Sequence, residues 1–192
     1  MKPIERGEVL GLSDYEGIRG RFRERVIQEK KKRRVQLGPS VSAVFENRDT
    51  VLLQIQEMLR TERITKDAGI QHEIETYNQL VPGSRELSAT LMIEIQDAAE
   101  RDAFLSKAAG IEQHIALLVD GERIAATWEQ SRVLPDRASA VLYVKFPLPF
   151  RATDAIRAKR AAVELLIDHP AYSARAPIGG VALASLAEDL EE

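Results

Sequence analysis

The stretch Ser42–Ile64, SAVFENRDTVLLQIQEMLRTERI, decides the fold. Val41, Ala43 and Phe45 alternate with Ser42, Val44 and Glu46, the period of a half-buried strand. Asn47 and Asp49 follow at once, and both can accept bonds from the free N–H groups of a helix start. Val51, Ile55, Met58 and Leu59 then recur at helical spacing, with Leu52 and Leu53 widening the apolar side. Gln56, Arg60 and Arg63 read as solvated, and Glu57 falls at the margin of the apolar face. A carboxylate drawn inward from that margin needs a cation, hydrogen bonds or a metal.

Outward from this unit, 192 residues suit one domain, or one domain with an arm. A hydrophobic content of 44% supports a sizeable core, but one Trp, four Tyr and five Phe leave aliphatic residues to fill it. The chain has no cysteine, which excludes disulfides, thiol catalysis and cysteine-ligated zinc or iron–sulfur centres within it. No run of about 18 apolar residues suggests a membrane span. The opening residues lack an apolar signal core, so the expected location is the cytoplasm. The net charge of -3 conceals a contrast. Arg19–Arg34 holds nine basic and two acidic residues, net +7, against 18 basic and 28 acidic elsewhere, net -10. Such a run suits oligomer contacts, an acidic partner or a nucleic acid. A nucleic-acid role is not expected, because no helix-turn-helix, stacking aromatics or paired zinc ligands accompany it.

The remaining elements follow from period and punctuation. Ser13 heads a capping-box pattern for a short helix, and a basic helix is expected over about 20–34. A second helix from about 67 to 80, lined by Ile70, Ile74 and Tyr77, makes an α-hairpin with the first stretch and stops at Pro82-Gly83. Residues 87–95 alternate most clearly as a strand, with a semi-polar side at Thr90, Met92 and Glu94 suited to carrying the two helices. A helix is expected from about 97 to 110, then strands at 112–119 and 122–129 joined by Asp120-Gly121, a tight-hairpin dipeptide. Further strands at 139–146 and 161–168, a short helix after Thr153 and a terminal helix from about Ile178 complete the reading. The expected class is α+β: a mainly antiparallel sheet covered by an N-terminal helical arm and an α-hairpin. The expected division is an arm over 1–38 and a core domain over 39–192.

Two constellations carry chemistry. Glu57, His72, Glu75 and Glu94 could converge across the hairpin and the strand beneath it, a His/carboxylate set suited to iron, manganese or zinc. Arg48, at a helix start, could hold an anion with local N–H groups or form a salt bridge with Glu46. His169, beside Asp168 and Tyr172, reads as fixing its loop, and His114 as a histidine on a half-buried strand. Phosphate-binding glycine loops, GxSxG elbows, HExxH and calcium loops are absent.

FENRDTVLLQIQEMLRTERI, IQHEIETYNQLVPG, ELSATLMIEI, AVLYVKFPL and IDHPAY together resemble a bacterial family catalogued as domain of unknown function 3501. The resemblance extends to the opening MKPIERGEVLGLSDYE and the basic RERVIQEKKKRR. It brings no activity with it. Members are similar to proteins encoded beside rubrerythrin-like proteins and iron–sulfur oxidoreductases, which implies a redox setting. Two readings result: an accessory or interaction module for such a partner, or a small metal-dependent redox enzyme built on the 47–80 hairpin.

Overall fold

The computed structural model describes residues 1–129 and 134–190. In chain order these form α1 (Leu12–Lys32), β1 (Arg34–Leu37), β2 (Val41–Glu46), α2 (Arg48–Thr61), α3 (Asp67–Asn78), β3 (Glu86–Ile93) and α4 (Ala98–Lys107). β4 (Ile115–Val119), β5 (Glu122–Ala125), β6 (Val141–Pro147), α5 (Phe150–Arg157), β7 (Val163–His169), β8 (Tyr172–Ile178) and α6 (Gly180–Asp189) follow. The architecture is α+β, with two four-stranded antiparallel sheets ordered β1-β2-β3-β6 and β5-β4-β7-β8.

Strand alternation places one face of each sheet in a shared core. Phe45, Leu91 and Phe146 of the first sheet cluster with Leu117, Leu165 and Ile167 of the second. Leu105, Ile156 and Leu186 bring α4, α5 and α6 into the same core. The sheets also meet at their margins. Thr127, just after β5, bridges to Lys145 of β6. At the other side Tyr172 Oη donates to Leu37 O at 2.6 Å and accepts from Ser40 N at 3.3 Å. Gly38 turns the chain there with φ 72°, and a Cβ on it would lie 2.5 Å from that hydroxyl, so both space and backbone require glycine. Asp120 and Gly121, at φ 50° and 86°, close the expected β4–β5 hairpin.

Three local readings change. The two expected N-terminal helices are one 21-residue helix capped by Gly11, with Ser13 inside its first turn. Arg34–Leu37 is an edge strand paired with β2 and lies before residue 38. Residues 172–178 form β8 on β7, where small side chains and Pro177 leave no strong strand signal in an edge position.

A second, smaller core joins Val51, Ile55 and Leu59 of α2 to Ile70 and Ile74 of α3 and to Ile4 and Val9 of the opening segment. Two amide side chains bind that segment's backbone. Gln56 accepts from Leu10 N at 2.7 Å and donates to Leu10 O at 3.2 Å. Asn78 does the same for Ile4, at 2.8 and 2.9 Å. Gln56, expected in solvent, is therefore buried, because the N-terminal segment lies over it.

Arg33, the residue between α1 and β1, is 1% exposed. Its guanidinium donates to Phe45 O at 2.8 Å, Glu46 O at 3.2 Å and Ser185 Oγ at 2.7 Å, and pairs with both carboxylate oxygens of Asp189. Removing one partner of a buried ion pair strands the other charge. Arg33→Met and Asp189→Leu should each lower unfolding free energy by about 3–5 kcal/mol in urea denaturation. The double variant should cost less than the sum of the two; an additive result would mean the pair is not coupled.

Candidate functional site

The outward face of the first sheet is polar and mixed, and strand register sets its composition. Arg34, Val44, Thr90 and Tyr143 lie in one cross-strand row. Ser42, Met92 and Val141 lie in the row on one side, and Glu46, Ser88 and Lys145 in the row on the other. β2 is consequently buried along all six residues, since helices cover the face that its alternation predicts to be open.

Between α1, α2 and this face lies a cleft of about 550 Å³. Val44, Met92, Val141 and Tyr143 give it an apolar floor, and Ile27 and Gln54 form its helical walls. Lys30, Lys31 and Arg34 stand at its basic side. Arg34 is paired with Glu94 at 2.5 Å. Among the described residues neither Lys30 nor Lys31 has a carboxylate partner, so both charges are available to a ligand.

Glu46 marks the depth of the cleft at 2% exposure. One carboxylate oxygen accepts from Thr90 Oγ1 at 2.6 Å and the other from Thr50 Oγ1. It sits two residues before α2, where the helix's positive end favours an anion. Hydroxyl donors satisfy this carboxylate.

Tyr143 also lines two further hollows. One, of about 440 Å³, includes Leu80, Ser88, Trp128 and Lys145. Lys145 there is held by Glu86 at 2.8 Å and Val81 O at 3.3 Å. The other, of about 170 Å³, includes Glu112, Trp128 and Ser139.

The residues expected around a metal are dispersed. Glu57 accepts from Tyr15 Oη at 2.6 Å and from Arg19 through two bonds of 2.8 Å. Hydrogen bonding from Arg19 chiefly holds its carboxyl down at about 2, from an ordinary 4.5. Burial, and then the bond to Glu57, push the Tyr15 phenol up. Arg60, three residues on from Glu57, pairs with Glu16. His72 is exposed on α3, away from the buried Ile70 and Ile74. Glu75 accepts from Gln71 at 2.9 Å. Glu94 is drawn below its ordinary range by hydrogen bonding from Ser42 and then Arg34. Among the described residues no group of three or more His, Asp or Glu side chains is placed to hold a metal ion. The structure does not bring Glu57, His72, Glu75 and Glu94 together.

Arg48 ties down the N-terminus. It donates to Lys2 O at 3.0 Å and Pro3 O at 3.3 Å and pairs with Glu8, whose carboxyl this pairing lowers. It does not reach the Glu46 side chain, whose bonds come from threonines. His169 accepts from Ala171 N at Nδ1, 3.1 Å, and its Nε2 lies 3.2 Å from Ala109 O, so the ring ties the β7–β8 turn to the segment after α4. His114 packs edge-on against it at 4.9 Å and lies 3.4 Å from Asp168.

Glu57 yields a pH signature. Its folded-state pKa is depressed, so its contribution is complete above 4.5 and is lost as pH falls towards about 2. Arg19→Met should destabilise the protein at pH 7, because it removes both bonds that Arg19 makes to the Glu57 carboxylate. The difference from wild type should shrink steadily below pH 4 in thermal or urea unfolding. A pH-independent difference would assign the loss to packing of the Arg19 stem.

The comparisons agree with this architecture and supply no activity. A crystal structure described as a novel protein of unknown function from Burkholderia pseudomallei K96243 is similar over 98% of this chain and 100% of its own, with 35% identity and a TM-score of 0.92. No curated protein matches. The family described as protein of unknown function (DUF3501) matches residues 3–190, and the chain belongs to that family.

Proposed function

We propose that this chain is a binding module that recognises a small anion with an apolar body and serves as an accessory component of a redox system. One observation carries the binding reading: the cleft beneath α1 combines an apolar floor with Lys30 and Lys31, two cations with no carboxylate partner among the described residues. Apolar burial supplies affinity in such a cleft, and a few convergent charges set orientation. The redox setting, with an iron–sulfur oxidoreductase or rubrerythrin-like protein as partner, is supported by the family resemblance alone. Such a module works by holding its ligand, and the hydroxyl-bonded Glu46 serves as a fixed polar end to the cleft.

Octanoate tests the binding reading. Titration should give saturable one-to-one binding, with chemical-shift changes at Thr90, Met92 and Val141, and octanol should bind more weakly. Lys30→Gln with Lys31→Gln should weaken octanoate about five- to thirtyfold, since each exposed charge contact is worth about 0.5–1 kcal/mol. Added salt should weaken it as well. Binding indifferent to both lysines and to salt would overturn this reading. Stoichiometric iron, manganese or zinc, lost on His72→Ala and Glu57→Gln, would support the metal-dependent enzyme instead.

A further inference from the structure

Glu112 is a buried acid with an unanswered need. It lies in the short 3-10 turn Ile111–His114, between α4 and β4, and is 4% exposed. Its Oε2 is buried and has no hydrogen-bond partner among the described residues. Buried carboxylate oxygens are ordinarily satisfied by donors or a counter-charge, and leaving one without either is costly. The same residue lines the hollow of about 170 Å³ with Trp128, Glu129, Ser139 and Tyr143.

We infer that this hollow is a binding site for a small organic ammonium ion. Three features select that class. Glu112 brings a carboxylate to a position shielded from water. Trp128 and Tyr143 supply aromatic rings, whose faces attract a desolvated cation. The rest of the lining includes Ser139, Val141 and Leu142, and the two aliphatic side chains suit methyl or methylene groups. The space equals about five or six waters' share of liquid volume, enough for a head group of the choline size. A bare divalent ion fits the lining less well, because among the described residues no set of three His, Asp or Glu side chains gathers.

The site shares Val141 and Tyr143 with the basic cleft, carries charge of the opposite sign, and is argued from different charged residues than the anion reading. Trp128 is the chain's single tryptophan, so its emission reports on this hollow directly.

Choline is the probe, and 3,3-dimethyl-1-butanol is its uncharged carbon counterpart. Choline should change Trp128 emission saturably, and the alcohol should bind at least tenfold more weakly. Glu112→Gln should weaken choline at least tenfold while octanoate binding at Lys30 and Lys31 is unchanged. Trp128→Phe, read by calorimetry, should weaken choline severalfold. Equal binding of choline and the alcohol, no saturable response to choline, or unchanged affinity in a folded Glu112→Gln variant would each overturn the inference. Where Glu112→Gln does not fold, the wild-type comparison of choline with its alcohol counterpart decides.

Discussion

The guanidinium of Arg33 is the constraint on which the arrangement depends. A cation this deeply buried is tolerable only when its N–H groups find acceptors and its charge finds an anion. Here the acceptors come from two separated parts of the chain: the carbonyls of Phe45 and Glu46 at the end of β2, and the side chains of Ser185 and Asp189 in α6. The end of α1, the end of β2 and the last turns of α6 are thereby fixed to one another. Phe45 N donates in return to Arg33 O at 3.0 Å, so the backbone shares in the same junction. Because β1 begins at the next residue, this junction also sets where α1 leaves the sheet and how it overhangs the outer face.

The cleft follows from that overhang. A helix carrying mostly charged residues cannot seal a sheet face as an apolar helix would. α1 buries only Tyr15 and Val26 and is otherwise tied down by ion pairs such as Arg19–Glu57 and Arg25–Asp49. Such anchors fix its course without filling the space beneath it. The sheet face below carries Thr90, Met92, Tyr143 and the hydroxyl-bonded Glu46, so the gap is amphipathic and has a basic margin. The α2–α3 hairpin has a different task. Its own small core and the amide clamps of Gln56 and Asn78 are devoted to holding the N-terminal segment, with Arg48 as a third tie.

Much of the fold was legible because its signals are local. Asn47 caps α2 as its residue type predicts, with Thr50 completing the reciprocal bonds. The alternation of β3, the Asp120-Gly121 turn and the Pro-bounded end of β6 all lie within a few residues of their causes. β8 was not legible, since its edge position demands little of its sequence. The candidate site was legible only in outline. The semi-polar side of β3 was visible as a surface for helices, but neither the lysines above it nor Glu112 can be connected to it by spacing. Glu57 shows the converse: helical position placed it correctly at a margin, while its partners, Tyr15 and Arg19, lie about forty residues away.

By itself the sequence determined the α+β class, most element boundaries, the apolar faces and the exclusion of cysteine chemistry. Those properties depend on period, capping and composition, which act over one or two turns or a single strand. Tertiary structure decided that there are two sheets around one core, that α1 is continuous, and that Arg33 rather than Arg48 is the central cation. It also decided which polar groups meet across the outer face. Ion pairing and burial depend on contacts between residues tens to more than a hundred positions apart, and no local pattern encodes those distances.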